Sequence, residues 1–128
     1  MHGIVKISVG EGRTRVFGEV YEVGRDLLVL IGGAGLHIGA ASLAEQLPGE
    51  ETSLRGVIAR VRDHPERWHK EGELTDGVAA RLTDATGRLT LAVSGIHLDR
   101  ITREEIEEIR DNVEELSARL VRRFLRPR

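Results

Sequence analysis

Cysteine is absent from this chain of 128 residues, which excludes disulfide bonds, thiolate metal sites and iron–sulfur clusters. Aromatic residues are scarce, with one Trp, one Tyr and two Phe, so the core is expected to be aliphatic. No apolar run is long enough to cross a bilayer, and the N-terminal residues lack the pattern of a secretory signal. These absences predict a cytoplasmic protein with no membrane partner.

A strong charge of either sign is also missing, because the formal net charge is −2 at pH 7. Such a balance gives no reason to expect a polyanionic partner. Arginines do gather in residues 119–128, but basic residues at the end of a helix complement its dipole. No nucleic-acid partner is therefore predicted. The length fits a single domain that spans residues 1–128.

The first pattern present is that of β-strands. Alternating polarity or a short apolar run predicts strands at residues 3–9, 14–23, 27–31, 37–43, 54–61 and 89–93. A glycine turn separates the first two, which indicates an antiparallel hairpin. The third run does not alternate, which predicts a central strand covered on both faces. Residues 63–72 show no period and are predicted to be irregular.

The clearest helix follows the last predicted strand. Thr102 and Glu105 have the spacing of a capping box, in which each side chain accepts a hydrogen bond from the other residue's backbone N–H. Ile101 and Ile106 fall at the two positions of a hydrophobic staple. Apolar residues then recur every three or four positions, which predicts one buried face. Pro127 marks the expected end of this helix.

A second helix is predicted at residues 74–85, closed by Gly87 as the left-handed residue after its last turn. The order of elements indicates an α+β fold, a mainly antiparallel sheet with two helices on one face. Two helices would leave part of such a sheet uncovered. A second subunit would complete the cover, so a two-fold homodimer is predicted.

Two segments combine glycines with a histidine. Residues 32–43 hold four glycines around His37, and residues 95–102 place His97 and Asp99 between a strand and a capped helix. Small residues allow a ligand or another backbone to approach closely. Polar groups at a strand end, facing a helix N-terminus, are typical of a ligand site. The glycine spacing fits neither a P-loop nor a dinucleotide fingerprint.

The residues alone leave three interpretations open. His37, His97 and Asp99 are a conceivable ligand set for Zn²⁺ or Fe²⁺, although no HExxH-like spacing supports it. The same histidines could only form hydrogen bonds at strand ends, with Asp99 turning the chain. Glycine-rich backbone and donors such as Lys70 could instead bind an anionic ligand, with Trp68 as a stacking surface. No nucleophile elbow or set-apart acid pair indicates an enzyme.

Three segments together resemble a known family. Residues 32–40, 69–71 and 95–102 are similar, in this order, to the LpdD-like prenylated flavin chaperones, and the resemblance spans residues 3–122. It implies a fold like that of proteasome assembly chaperones and a homodimer. It also implies a non-catalytic protein that binds reduced prenylated FMN and delivers it to a UbiD-type decarboxylase.

The expected site follows from these segments and contains neither a catalytic residue nor a resident metal. The residues expected to bind the cargo are Gly32, Gly33, His37, Gly39, His69, Lys70, Gly95, His97 and Asp99. In this hypothesis, His37 and His97 act as hydrogen-bond donors and Asp99 orients one imidazole. The alternatives are a metal-dependent enzyme that uses His37, His97 and Asp99, or a protein-assembly chaperone without a small ligand.

Overall fold

The computed structural model describes residues 2–68 and 70–125. Within these ranges the elements are, in chain order, β1 (His2–Val9), β2 (Val16–Val23), β3 (Asp26–Gly32), β4 (Ala40–Glu45), β5 (Ser53–Ile58), β6 (Arg60–Val61), β7 (His64–Trp68), α1 (Gly72–Thr86), β8 (Thr90–Gly95) and α2 (Arg103–Leu125). A 3-10 turn at Gly12–Thr14 links β1 to β2. His69, expected at the site, and Pro127, expected to end the long helix, lie outside the described residues.

Six of these strands form one sheet in the order β1-β2-β3-β8-β4-β5, and β6 pairs with β7 in a separate hairpin. Neighbours in the large sheet are antiparallel except β3 and β8, which run parallel. Helix α1 packs on β4, β5 and β8, whereas α2 packs on β1 and β2 and alongside α1. The predicted α+β class, with two helices on a mainly antiparallel sheet, is confirmed.

The hydrophobic core lies between the helices and one face of the sheet. The strand register places Val20, Val29 and Ala92 in one row across three strands, and all three are fully buried. The helices cover this row with aliphatic side chains, which are Val78, Ala79, Leu82, Ile109, Val113, Leu116 and Leu120. The aliphatic core that the composition predicts is therefore present. Within the described ranges, neither helix has the length and apolarity needed to cross a membrane.

The opposite face of the sheet has no such cover. Leu28 and Leu30 of β3 are only half-buried, and Leu91 of β8 is 39% exposed. The prediction that residues 27–31 are covered on both faces is therefore wrong for this chain by itself. The reason is that both helices pack on the side of Val29.

The predicted helix ends are confirmed by their hydrogen bonds. The N–H of Thr102 donates to the Glu105 carboxylate at 3.0 Å, and the N–H of Glu105 donates to the Thr102 hydroxyl at 3.1 Å. Helix α1 ends at Gly87, which has a φ of 71° and donates its N–H to the carbonyl of Thr83 at 2.8 Å. Local chemistry thus fixes where the long helix begins and the short one ends.

Three predictions need correction. The segment 63–72 was expected to be irregular, but within it His64–Trp68 forms β7, which pairs with β6. Residues 60 and 64–67 of this hairpin are exposed, so these positions need no alternating polarity. The predicted strand at 54–61 divides into β5 and β6, which belong to different sheets. The predicted strand at 37–43 begins only at Ala40, which leaves His37 in the preceding loop.

Candidate functional site

The parallel pair β3–β8 brings the two glycine–histidine segments to one edge of the sheet. Carboxyl ends of adjacent parallel strands emerge at the same edge, here at the paired residues Gly32 and Gly95. The loops that follow are joined by a hydrogen bond, because the N–H of His97 donates to the carbonyl of Ala34 at 3.1 Å. Both motifs are thus neighbours in space although they are far apart in sequence.

The glycines of this edge allow the two loops to pack directly on each other. A Cβ atom on Gly95 would lie 1.8 Å from the carbonyl oxygen of His37, which no side chain tolerates. Gly35 has a φ of +62°, and a Cβ there would lie 2.6 Å from the carbonyl oxygen of His97. Gly32 is similarly confined, since its Cβ would lie 2.6 Å from two neighbouring side chains. Backbone packing therefore accounts for these glycines, and their direct contact with a cargo stays a prediction.

The remaining site glycines flank His37. Gly33 packs on Ile96, whose Cγ2 atom would lie 3.3 Å from an added Cβ. Gly39 is buried, and its N–H donates to the carbonyl of Ser94 at 2.8 Å. The loop between β3 and β4 thus contacts β8 at Gly39 and the residue after β8 at Gly33, and cargo contact at either glycine also stays a prediction.

The side chains of His37, His97, Asp99 and Glu71 form a group that we call the histidine cluster. The two imidazole rings meet edge to face, with their centroids 6.2 Å apart. Nε2 of His97 lies 3.0 Å from Oδ1 of Asp99, and Nε2 of His37 lies 3.8 Å from Oε1 of Glu71. Each imidazole therefore has a carboxylate beside it. Glu71 was not predicted as a site residue, although it belongs to the segment 69–71 that carries part of the family resemblance.

The hydrogen-bond partners restrict where each imidazole carries its proton. Nδ1 of His37 lies 2.9 Å from the carbonyl oxygen of Gly35, which can only accept, so this nitrogen is the donor. Nε2 of His97 donates to the Asp99 carboxylate for the same reason. A neutral His97 then presents Nδ1 to a ligand as an acceptor, and it becomes a donor there only when protonated.

The geometry does not favour a metal site. Among residues 2–68 and 70–125, no group of three or more His, Cys, Asp or Glu side chains is placed to hold a metal ion. Nδ1 of His37 and Nε2 of His97 already form hydrogen bonds with Gly35 and Asp99. The metal-dependent alternative built on His37, His97 and Asp99 therefore gains no support from their arrangement.

A cavity of about 410 Å³ lies beside the histidine cluster, between the first turns of α1 and α2. Its walls are mainly aliphatic, and we call it the isoleucine cavity; the apolar lining residues are Leu74, Ile96, Ile101, Ile106 and Ile109. Lys70, Glu71 and Arg110 also line it. Lys70 was predicted for the site. Ile101 and Ile106 were predicted only as a helix staple, so their position on a cavity wall was missed.

The loop between β8 and α2 is fastened from the side by Arg13. Its Nε donates to the Glu105 carboxylate at 2.8 Å, and its Nη2 donates to the carbonyl of Asp99 at 2.8 Å. The bond from Arg13, together with the backbone N–H of Thr102, lowers the pKa of the Glu105 carboxyl to about 2. The same loop contains Arg100 at a φ of 53°, a left-handed conformation that side chains seldom adopt. The bond from Arg13 to the backbone of Asp99 thus tethers the residue whose carboxylate lies 3.0 Å from Nε2 of His97.

The chain matches one known protein family over most of its length. The prenylated flavin chaperone LpdD-like domain matches residues 10–125. The chain belongs to this family. Among curated proteins, none matches it. The match covers both glycine–histidine segments, so the site of this LpdD-like chaperone is formed by segments that lie within the family domain.

The fold of this LpdD-like chaperone is shared with a chain from the crystal structure of a novel chaperone complex for yeast 20S proteasome assembly. The two align with a TM-score of 0.63 at 9% sequence identity, covering 97% of this chain and 98% of the other. At that identity the likeness concerns the fold alone. The predicted likeness to proteasome assembly chaperones is confirmed at that level.

The structure gathers most of the residues expected to hold the cargo of an LpdD-like chaperone. One edge of the sheet carries Gly32, Gly33, His37, Gly39, Gly95, His97 and Asp99. Lys70 joins them through the wall of the isoleucine cavity. His69 is adjacent in sequence but lies outside the described residues.

Proposed function

We propose that this chain is a non-catalytic carrier that binds reduced prenylated FMN and delivers it to a UbiD-type decarboxylase in the cytoplasm. The family description, a prenylated flavin chaperone, supports this proposal. The observation that carries it is the isoleucine cavity. The cavity shares the wall residue Glu71 with the histidine cluster, so an apolar surface and polar groups face one space.

The chemistry of the cargo matches these two kinds of surface. A reduced prenylated flavin reacts with oxygen, so a carrier must shield its ring while leaving release possible. Aliphatic walls with a few polar groups suit that task, and a volume of about 410 Å³ lies within the usual range of about 300–1,000 Å³ for ligand pockets. A carrier makes and breaks no covalent bonds, so it needs no nucleophile.

The polar contacts are assigned to the predicted residues. His37 and His97 hold the hydrogen-bonding edge of the flavin, and Asp99 fixes the orientation of His97. Lys70 supplies a positive charge near the cavity for the phosphate. His69 is assigned to the same site from the sequence motif. This arrangement requires no resident metal.

An anaerobic absorbance titration tests the cargo. We expect reduced prenylated FMN to bind well above unmodified FMN, because only the former carries the added aliphatic ring. Equal binding of both flavins, or no binding of either, would remove the proposed cargo. Copurification with a decarboxylase in the absence of any flavin would favour the assembly-chaperone alternative instead.

Delivery is tested separately from binding. The chaperone loaded with prenylated FMN is mixed with a cofactor-free UbiD-type decarboxylase, and recovery of decarboxylation is followed with time. We expect faster recovery from the loaded chaperone than from the same amount of free cofactor when oxygen is admitted. Equal rates would contradict a delivery role even if the cargo binds.

We also infer a two-fold homodimer that covers the open face of the sheet. The strand register aligns a continuous apolar row across five strands on that face, which consists of Ile4, Tyr21, Leu28, Leu91 and Leu43. Ile4 is 62% exposed and Leu91 is 39% exposed in the single chain. Apolar surface of this extent is typical of an interface between subunits.

Light scattering at micromolar concentration tests this assembly. We expect about twice the chain mass of 14.2 kDa. Leu91→Asp places a charge in the middle of the open face and should yield a monomer. Leu47→Asp changes an exposed leucine in the loop between β4 and β5 and should leave the dimer intact. A monomeric wild-type protein would refute the inference.

A further inference from the structure

The isoleucine cavity contains apolar surface that the fold itself does not use. Ile101 and Ile106 stand at staple positions around the start of α2, yet each keeps 40% of its surface exposed. Ile109, one turn further along, is only 5% exposed. The exposed parts of the first two side chains line a concave space together with Ile96 and Leu74. Apolar surface concentrated in a concavity is typical of a ligand pocket rather than of a helix end.

This apolar surface adjoins the histidine cluster through Glu71, which belongs to both. Ile96, a wall residue, immediately precedes His97 in the chain. Glu71, another wall residue, has its Oε1 atom 3.8 Å from Nε2 of His37. A ligand with one apolar end and one hydrogen-bonding end can therefore contact both surfaces at once.

Resting on the proposed function, we propose that the isoleucine cavity binds the aliphatic ring that prenylation adds, while the polar edge of the flavin faces His37 and His97. Prenylated and unmodified FMN share the same phosphate and most of the same hydrogen-bonding groups. The two flavins differ in the added aliphatic ring, so an apolar wall is the part of a site that can discriminate between them. Ile101 and Ile106 are therefore the residues that determine selectivity for the prenylated cargo.

The charged groups around the cavity do not provide this selectivity. Lys70 and Arg110 line it together with Glu71 and Glu73, so the formal charges of the wall balance. Any attraction of a cation to the phosphate acts equally on both flavins. The histidines likewise meet groups that both flavins present, and changing them lowers both affinities together.

The test compares two ligands on matched variants. Reduced prenylated FMN and reduced FMN are titrated anaerobically into wild-type protein, Ile106→Ser and Leu125→Ser. Leu125 is an exposed aliphatic residue in the last turn of the same helix, 55% exposed and far from the cavity. We expect Ile106→Ser to reduce the ratio of the two affinities about tenfold or more, because aliphatic contacts are lost. Leu125→Ser should leave the ratio unchanged.

A second variant distinguishes a loss of selectivity from a folding defect. Ile101→Ser lies before α2 and leaves the capping-box pair Thr102 and Glu105 unchanged. It should reduce the same ratio, with the affinity measured per folded molecule. An unchanged ratio in both isoleucine variants would overturn the inference while the cargo still binds. A wild-type protein that does not prefer prenylated FMN would instead overturn the proposed function.

Discussion

The two ends of the parallel pair β3–β8 are built differently. At the carboxyl ends, His97 and Asp99 extend from a loop with 63% and 91% of their side chains exposed. At the amino ends, Thr83 and Thr90 are fully buried, and the Thr83 hydroxyl lies 2.8 Å from the carbonyl of Arg88 and 3.0 Å from the Thr90 hydroxyl. One end presents polar groups to solvent, whereas the other uses them to bind its own elements together.

Arg88 links this closed end to the hairpin formed by β2 and β3. Its Nε donates to the carbonyl of Arg25 at 2.6 Å, and its Nη2 donates to the Glu22 carboxylate at 2.8 Å. Its guanidinium also stacks over the ring of Phe124 near the end of α2. The contrast shows that buried polar side chains stabilise the fold where their hydrogen bonds are made within the protein. At the other end, the side chains of His97 and Asp99 are mostly exposed to solvent.

The largest expected effect concerns the glycine that joins the two loops of the open end. Gly95→Ala puts a Cβ atom 1.8 Å from the carbonyl oxygen of His37, so the backbone must move. We expect a loss of about 4 kcal/mol in the free energy of unfolding, or failure to fold. Gly77→Ala in α1 is the matched control, because its Cβ meets no atom within 4 Å and alanine favours the helix. Urea unfolding measures both, and equal stability of the two variants would contradict the packing argument.

The next effect concerns the closed end. Thr83→Val keeps the shape of the side chain but removes a buried hydroxyl that lies within hydrogen-bonding distance of the Ala44 carbonyl, the Arg88 carbonyl and the Thr90 hydroxyl. We expect the free energy of unfolding to fall by about 1–3 kcal/mol. Flavin affinity per folded molecule should stay unchanged, because the substitution lies at the end away from the histidines. A loss of affinity with intact stability would break the division between the two ends.

Short-range signals predicted much of the fold. The capping box of Thr102 and Glu105 and the terminal glycine Gly87 each depend on residues a few positions apart. Strand alternation likewise predicted most of the sheet. Strand β7 was missed, because its exposed residues 64–67 show no hydrophobic period.

The site was predictable in its parts but not in its assembly. His37, His97 and Asp99 stand out as polar residues beside glycines, and the Asp99 carboxylate accepts a hydrogen bond from His97. Glu71 and Arg13 reach this end only through tertiary packing, and Arg13 lies outside the three segments that resemble the family. Ile101 and Ile106 fit the spacing of a hydrophobic staple, so their spacing gave no reason to place them on a cavity wall. The arrangement of side chains at this end therefore depends on contacts between residues that are far apart in the sequence.

A third effect is expected in binding rather than in folding. His97→Ala should lower cargo affinity by roughly 1–3 kcal/mol, as expected for loss of a hydrogen bond to a charged or strongly polar group. Stability should be unchanged, because the capping box at Thr102 does not involve His97. His64→Ala is the matched control, since His64 is an exposed histidine with a carboxylate 3.5 Å away on the separate hairpin. A lower melting temperature with unchanged affinity would assign His97 to structure instead.

The smallest expected effect is a dependence of stability on acid pH that comes from Glu105 at the open end. The Glu105 carboxylate accepts hydrogen bonds from Arg13 and Thr102, which lower its pKa from 4.5 to about 2 in the folded chain. Its contribution to stability is therefore complete above pH 4.5 and is lost as the pH falls from there towards 2. Thermal unfolding across that window should show this loss in the wild-type protein. Glu105→Gln should flatten that part of the profile, whereas Glu104→Gln, one position earlier in the same turn, should keep it. An identical acid profile for the wild-type protein and Glu105→Gln would mean that the Arg13 contact does not hold the open end in solution.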